Sequence, residues 1–246
     1  MKPLRPSLRL RVLALALLPC AGLLFSSTRA RAADTDGWEQ TDSRGGVTVF
    51  KRVDPNSPFR GIKGTGLVDA KVSTVAQVLL DDARAPEWVD SLDEARIVNV
   101  ISSSEYIEYN HVHMPWPTSD REFLTRVSLS YDAAARRSEI RSAPVDLPGL
   151  PPKKGDIRGM LRASYTMVPV DGADGRQQTQ LTVEIHSDPG GWIPSLLVNF
   201  FQKDWALETI GGIRAQAKKP DLSAPEEFKE WLSQLDAAMA KHVAQQ

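Results

Sequence analysis

The chain has 246 residues, 41% apolar and 25% charged, with a formal net charge of −1. These are the proportions of an ordinary globular chain with enough apolar residues for one sizeable core or at most two small ones. A single cysteine, Cys20, excludes a small disulfide-stapled scaffold.

The first pattern lies at the N-terminus. Lys2, Arg5, Arg9 and Arg11 precede an apolar run from Val12 to Phe25, and Ala30-Arg31-Ala32 follows as a small-x-small site. Together these predict a secretory signal peptide over residues 1–32, cut near Ala32, and hence export to a periplasm or secretion. The alternatives are a membrane anchor, for which the run falls short of the roughly 20 residues required, and acylation at Cys20. Leu17-Leu18-Pro19-Cys20 places proline where a lipobox wants a small residue. Cleavage removes six of the 30 basic residues and none of the 31 acidic ones, leaving a net charge of −7. That balance argues against nucleic acid as a partner. Cys20 leaves with the signal, so the mature chain has no thiolate metal site and no cysteine nucleophile.

Beyond the signal, Trp38 opens the ordered region, and Gly45-Gly46 turns into a strand at Val47–Phe50. A second strand covers Phe59–Val68; Gly61, Gly64 and Gly66 within it mark a bend or the close approach of another segment. Ser73 is placed to cap a short helix, Thr74–Leu80. Four strands follow at Arg96–Ile101, Tyr106–His113, Glu122–Tyr131 and Ser138–Ser142. In the third, Phe123, Val127, Leu129 and Tyr131 alternate with polar residues, the pattern of an antiparallel strand with one buried face. Ile157–Val168 and Gln180–Ser187 form a hairpin around a glycine-containing turn. An amphipathic helix runs from about Ile193 to Ala217, and a mostly polar helix over 225–243 follows a proline-bounded linker. The order predicts an α+β fold, a curved antiparallel sheet with a long helix across its mouth and an apolar cavity between them.

The run Pro115-Trp116-Pro117-Thr118-Ser119-Asp120-Arg121-Glu122-Phe123 resembles the START family (steroidogenic acute regulatory protein-related lipid transfer). Gly46-Val47, Arg60-Gly61, Pro86-Glu87-Trp88, Arg158-Gly159 and Asp188-Pro189-Gly190-Gly191-Trp192-Ile193-Pro194 fall in the order that family shows. The resemblance spans residues 36–217 and leaves 218–246 as a linker and helical tail. It implies a helix-grip fold around a lipid-sized tunnel, gated by the C-terminal helix and the Leu147–Pro152 loop. There is little room for an N-terminal helix before Val47, which puts closure of that end of the sheet in question. The implied partners are one apolar lipid (sterol, phospholipid or similar) and, transiently, a membrane surface; the implied state is a monomer without cofactor.

The candidate lipid-binding residues are Trp116 and Arg121 of the central run, Glu108 and Arg126 within strands, and Ile193, Leu196, Leu197 and Phe200 on the helix face. Arg121 also reads as an ion-pair partner of Asp120, and the helix face as plain core. Trp192, Phe201 and Trp205 are candidates for membrane contact or packing. His111 and His113 stand at a spacing that can bind zinc, but without further ligands nearby no metal site is assigned. G-x-S-x-G, P-loop and H-E-x-x-H motifs are absent, so no catalytic residues are assigned. Two rival readings remain: an enzyme of the aromatase/cyclase type on the same architecture, using Glu108, Arg126 or His186, and an interaction module with a filled cavity.

Overall fold

The computed structural model describes residues 37–52, 61–172, 175–193 and 204–240. The signal segment, Phe59 and Arg60, and the helix-face residues Leu196, Leu197, Phe200 and Phe201 lie outside them. In chain order the elements are β1 (Glu39–Arg44), β2 (Val47–Arg52), β3 (Gly61–Val68), α1 (Val72–Leu79), a 3-10 turn (Asp82–Glu87), β4 (Leu92–Ser102) and β5 (Glu105–Val112). Then come β6 (Arg121–Asp132), β7 (Arg137–Pro144), β8 (Ile157–Asp171), β9 (Gln177–Asp188), α2 (Trp205–Gln216), a second 3-10 turn (Glu226–Phe228) and α3 (Lys229–Ala240).

The strands form one sheet in the order β1-β2-β3-β9-β8-β7-β6-β5-β4. Neighbours run antiparallel, except for a short parallel contact of Arg121–Phe123 in β6 with Ile157–Gly159 in β8. The chain leaves β3 near one edge, crosses through α1 and the 3-10 turn, and re-enters at β4 on the other edge. This is the expected helix-grip architecture, with α2 held against β3 and β2. The hairpin partner β1, not expected from the sequence, pairs with β2 from Glu39↔Lys51 to Arg44↔Val47 and forms one edge of the sheet.

Period-2 alternation sets which side of each strand is buried. In β9, Thr179, Leu181 and Val183 are fully buried between partly exposed neighbours. In β6 the first five residues are all buried, because both faces of the sheet are covered there. On the outer face, Ile107, Tyr109 and Leu124 pack with Val145, Leu147 and Leu150 of the β7–β8 connection. The connection expected to gate a tunnel is therefore docked on the far side of the sheet.

The glycines of β3 admit the helix. A Cβ placed on Gly64 would come within 2.7 Å of Ala206 Cβ and 3.4 Å of Ile210 Cδ1, and one on Gly66 within 2.9 Å of the Gly46 carbonyl oxygen. Ala206, Ile210 and Ile213 of α2 are 1%, 0% and 0% exposed, so α2 has no room to retreat. Gly64→Ala is expected to destabilise the fold by about 1–3 kcal/mol through overpacking, read from the urea midpoint at unchanged slope.

Two local expectations change. Helix α1 begins at Val72 with Lys71 as its N-cap, and Ser73 lies buried within the helix rather than capping it. Burial of Val72 at 1% exposure in the core draws the helix start back past the serine. The tail helix is not a polar appendage. Phe228, Trp231, Leu232, Leu235 and Met239 belong to the main core, and the Phe228 ring lies 4.9 Å from that of Tyr106.

Candidate functional site

Between the sheet, the α1–β4 connection and the start of α2 lies a cavity of about 310 Å³, at the lower end of the ~300–1,000 Å³ typical of small-molecule sites. Tyr106, Glu108, Asn110 and Val112 of β5 line it, brought to one face by strand alternation. Phe123 and Val127 of β6 and Leu161, Ala163 and Tyr165 of β8 continue the wall, and Leu79, Ala85 and Trp88 close it from the crossing segment. Val89, exposed Asp90, Ile193 and Trp205 also line it.

Two acids enter this mostly apolar surface. Asp82, from the 3-10 turn, is 8% exposed, and its Oδ2 has no hydrogen-bond partner among the described residues. Burial, then the Glu108 charge, holds the Asp82 carboxyl well above the ordinary carboxylate range. Glu108 is raised as well, by burial, against hydrogen bonds to Asn110 and Thr125 that favour its charged form. Thr125 Oγ1 donates to Glu108 Oε2 at 3.3 Å. The partial exposure of Glu108 is exposure to the cavity it lines.

Arg121 is 1% exposed and also lines the cavity. It does not pair with the Asp120 carboxylate. Its Nε donates to the Pro189 carbonyl at 3.0 Å, Nη2 to the Gly190 carbonyl at 3.2 Å, and Nη1 to the Ser119 carbonyl. The guanidinium thereby ties the loop before β6 to the segment after β9. Of the other candidates, Glu108 and Ile193 line the cavity. Trp116, 91% exposed, and Arg126, exposed and paired with Glu105 at 3.3 Å, lie outside it. Arg126 falls on the outer face because it is one residue out of phase with Val127 and Thr125. His186 lines a separate outer groove with Arg141 and Arg162.

A second polar assembly holds the outer face. Glu122, 0% exposed, accepts from Tyr109 Oη at 2.7 Å, the Lys153 N–H at 3.2 Å and Arg158 Nη2 at 3.2 Å. Arg158 Nη2 also donates to the Leu150 carbonyl, so the β7–β8 connection is fastened by backbone as well as by packing.

Nearby, His111 Nδ1 lies 2.6 Å from Asp93 Oδ1, and Nε2 lies 3.2 Å from Asp156 Oδ2 and 3.9 Å from Asp120 Oδ2. His113 Nδ1 meets Asp120 Oδ1 at 3.1 Å. His111, Asp120 and Asp156 thus offer ligand atoms within 4.8 Å of one another, with His111 facing both aspartates. Burial would lower the His111 pKa; the hydrogen bond and charge of Asp93, with Asp156, outweigh it and raise it above 6.5. A raised folded pKa contributes stability that is complete below pH 6.5 and disappears as pH rises through the folded value. Wild type is therefore expected to lose denaturant resistance between pH 6 and pH 8.5 relative to His111→Gln, measured as the difference in midpoints at each pH.

Residues 26–219 match the START domain family. The chain belongs to the START family. An uncharacterised protein of Pseudomonas aeruginosa is 28% identical over 217 residues, 88% of this chain and all of that protein. The phosphatidylcholine transfer protein of Rattus norvegicus is 24% identical over 68% of this chain and 77% of its own. Among solved structures, a STAR-related lipid transfer protein fragment from Xanthomonas axonopodis covers 75% of this chain and all of its own, with TM-score 0.65 and 26% identity. Human StAR-related lipid transfer protein 5 shares the fold at TM-score 0.65 and 21% identity, over 75% of this chain and 88% of its own. The START match ends at residue 219, so the second 3-10 turn, whose Phe228 packs against Tyr106, and α3, whose Trp231 packs against Tyr131, lie beyond the family's matched span.

Within this START domain, Tyr106 and Asn110 share the cavity face with Glu108, a placement that period-2 counting from Glu108 would have found. Asp82 carried no such signal. It lies on a turn, and only the crossing of the chain from β3 to β4 brings it to the strand.

Proposed function

We propose that this START protein carries or senses one apolar, lipid-sized molecule, held in the cavity and exchanged at a membrane surface. The observation that carries the reading is the largely apolar cavity between the sheet, the crossing segment and the start of α2. Burial supplies affinity without special chemistry. An apolar chain of ~10 carbons gains on the order of 8 kcal/mol at ~0.8 kcal/mol per methylene, before association costs. Matched relatives named as lipid transfer proteins support the same class of ligand. Export with cleavage near Ala32 belongs to the proposal and rests on the basic and apolar pattern of residues 1–32.

Membrane contact is supported by two exposed indoles. Trp116 and Trp192 are 91% and 71% exposed, and Arg121 joins the loops that bear them through Ser119, Pro189 and Gly190. Indole rings favour the boundary between water and lipid. Trp116→Ala with Trp192→Ala is expected to weaken binding to phosphatidylcholine vesicles by about tenfold while leaving ligand capacity in solution unchanged, measured by vesicle co-sedimentation.

One observation favours an enzyme as a second reading. Asp82 and Glu108 form a buried acid pair with raised pKa values inside the cavity, an arrangement common at acid–base sites. Native mass spectrometry of the protein purified from its own host, followed by organic extraction, separates the readings. A stoichiometric apolar molecule that remains chemically unchanged on incubation supports the carrier. Turnover of that molecule supports the enzyme, and a clean apo mass after incubation with sterols, phospholipids and fatty acids overturns both.

A further inference from the structure

We propose that His111, Asp120 and Asp156 form a binding site for a divalent transition-metal ion of the zinc class, on the outer face of the sheet and apart from the cavity. His111 stands in β5 between Asn110 and Val112, which line the cavity, so its ring projects from the opposite face. Asp120 directly precedes β6 and Asp156 directly precedes β8. The parallel contact of those two strands begins there, with the Ile157 N–H donating to the Asp120 carbonyl at 3.1 Å. The β5–β6 register pairs Val112 with Arg121, which sets both carboxylates beside the end of β5.

The ring is oriented from behind. Asp93 Oδ1 lies 2.6 Å from His111 Nδ1, the carboxylate–histidine arrangement that fixes the tautomer of a metal-bound imidazole. With the Nδ1 proton given to Asp93, the Nε2 lone pair faces Asp156 Oδ2 at 3.2 Å and Asp120 Oδ2 at 3.9 Å. Asp120 is held in turn. Its Oδ1 accepts from the Met114 N–H at 2.8 Å and meets His113 Nδ1 at 3.1 Å, which leaves Oδ2 for the cluster. Three acceptor atoms thus converge. A proton on Nε2 answers Asp156 alone, because 3.9 Å is beyond hydrogen-bond reach. An ion with bonds of about 2.0–2.2 Å holds tetrahedral ligand atoms roughly 3.4 Å apart. A small turn of the carboxylates therefore brings all three onto it, with a fourth position left for water. His111 is nearly buried, while Asp120 and Asp156 stay partly exposed and give the ion a way in. An imidazole in the set favours zinc and its first-row neighbours over magnesium and calcium, which prefer oxygen alone. The ion fastens the end of β5 to the starts of β6 and β8, so binding it stabilises the fold.

The test uses the tag-free full chain, stripped with a chelator and titrated with zinc chloride at neutral pH by isothermal calorimetry. One ion per chain is expected, with a thermal midpoint raised by zinc and unmoved by magnesium or calcium at the same concentration. Cobalt(II) is expected to develop the visible absorption of a protein-bound ion. His111→Ala and Asp156→Asn are each expected to weaken zinc binding at least about tenfold, and Asp93→Asn, whose side chain touches only the ring, by about tenfold through lost orientation. Asp156→Asn keeps the side-chain shape and carries the test if His111→Ala does not fold. Uptake of 1,6-diphenylhexatriene, an apolar fluorescent reporter for the cavity, is expected to be the same in the folded variants as in wild type, because the site lies on the other face. A folded wild type without saturable zinc binding overturns the inference. So does zinc binding undiminished in the folded variants, which makes it an adventitious ion elsewhere, and so does an equal midpoint shift in magnesium. Each of these outcomes leaves the carrier reading of the cavity standing.

Discussion

Ala163→Trp is expected to abolish ligand loading while the protein stays folded. Ala163 stands on β8 between Leu161 and Tyr165, and all three line the cavity. An indole there occupies much of the 310 Å³ that a ligand would fill. Small-to-large changes in a packed core cost about 1–3 kcal/mol because neighbours must move; here the added ring enters empty space and gains apolar contacts instead. The apolar molecule recovered by native mass spectrometry is expected to fall from stoichiometric to trace, with reporter affinity at least about tenfold weaker and a thermal midpoint at or above wild type. Undiminished loading in a folded Ala163→Trp protein would place the ligand elsewhere.

Glu122→Ala is expected to cost about 3 kcal/mol, the lower end of the range for breaking a buried ion pair. The lower end applies because the Arg158 side chain keeps 20% exposure and regains some hydration when its partner is removed. Tyr109 Oη and the Lys153 N–H lose their acceptor in the same step. Burial disfavours the Glu122 carboxylate, but these hydrogen bonds and Arg158 outweigh it and lower its pKa below 4.5. Its stabilising contribution is therefore complete above pH 4.5 and lost as pH falls through the folded value. Glu122→Gln keeps the shape and two of the contacts, and is expected to cost roughly half as much. Equilibrium urea unfolding at pH 7 measures both, and amide exchange should show Val145–Lys153 released first. Reporter binding is expected to survive, because the connection those bonds hold lies on the outer face, away from the cavity.

Leu147 and Leu150 read as exposed apolar residues of a gate, but Ile107, Tyr109 and Leu124 present an apolar patch on the outer face that the loop covers. Strand alternation tells which residues share a face and not which face encloses the ligand. The same ambiguity misplaced Arg126, whose neighbours Thr125 and Val127 point inward. Phe228, Trp231, Leu232 and Leu235 stand at helical spacing, so the core role of the tail was legible as an apolar stripe among polar residues.

The sequence by itself determined the α+β class, most of the strands and the family, because these depend on local periodicity and ordered short motifs; it marked the β3 glycines as a bend or a close approach without saying that α2 is what approaches. Tertiary structure alone decided which polar groups meet. Asp82 and Glu108 come together because the chain crosses the sheet from β3 to the opposite edge at β4, carrying a turn residue over a strand to which no repeat or spacing connects it. Arg121 finds three carbonyls and not the neighbouring aspartate for a related reason. The parallel contact of β6 with β8 brings the end of β9 within reach of its guanidinium, and a buried cation is held by whichever acceptors the packed fold presents.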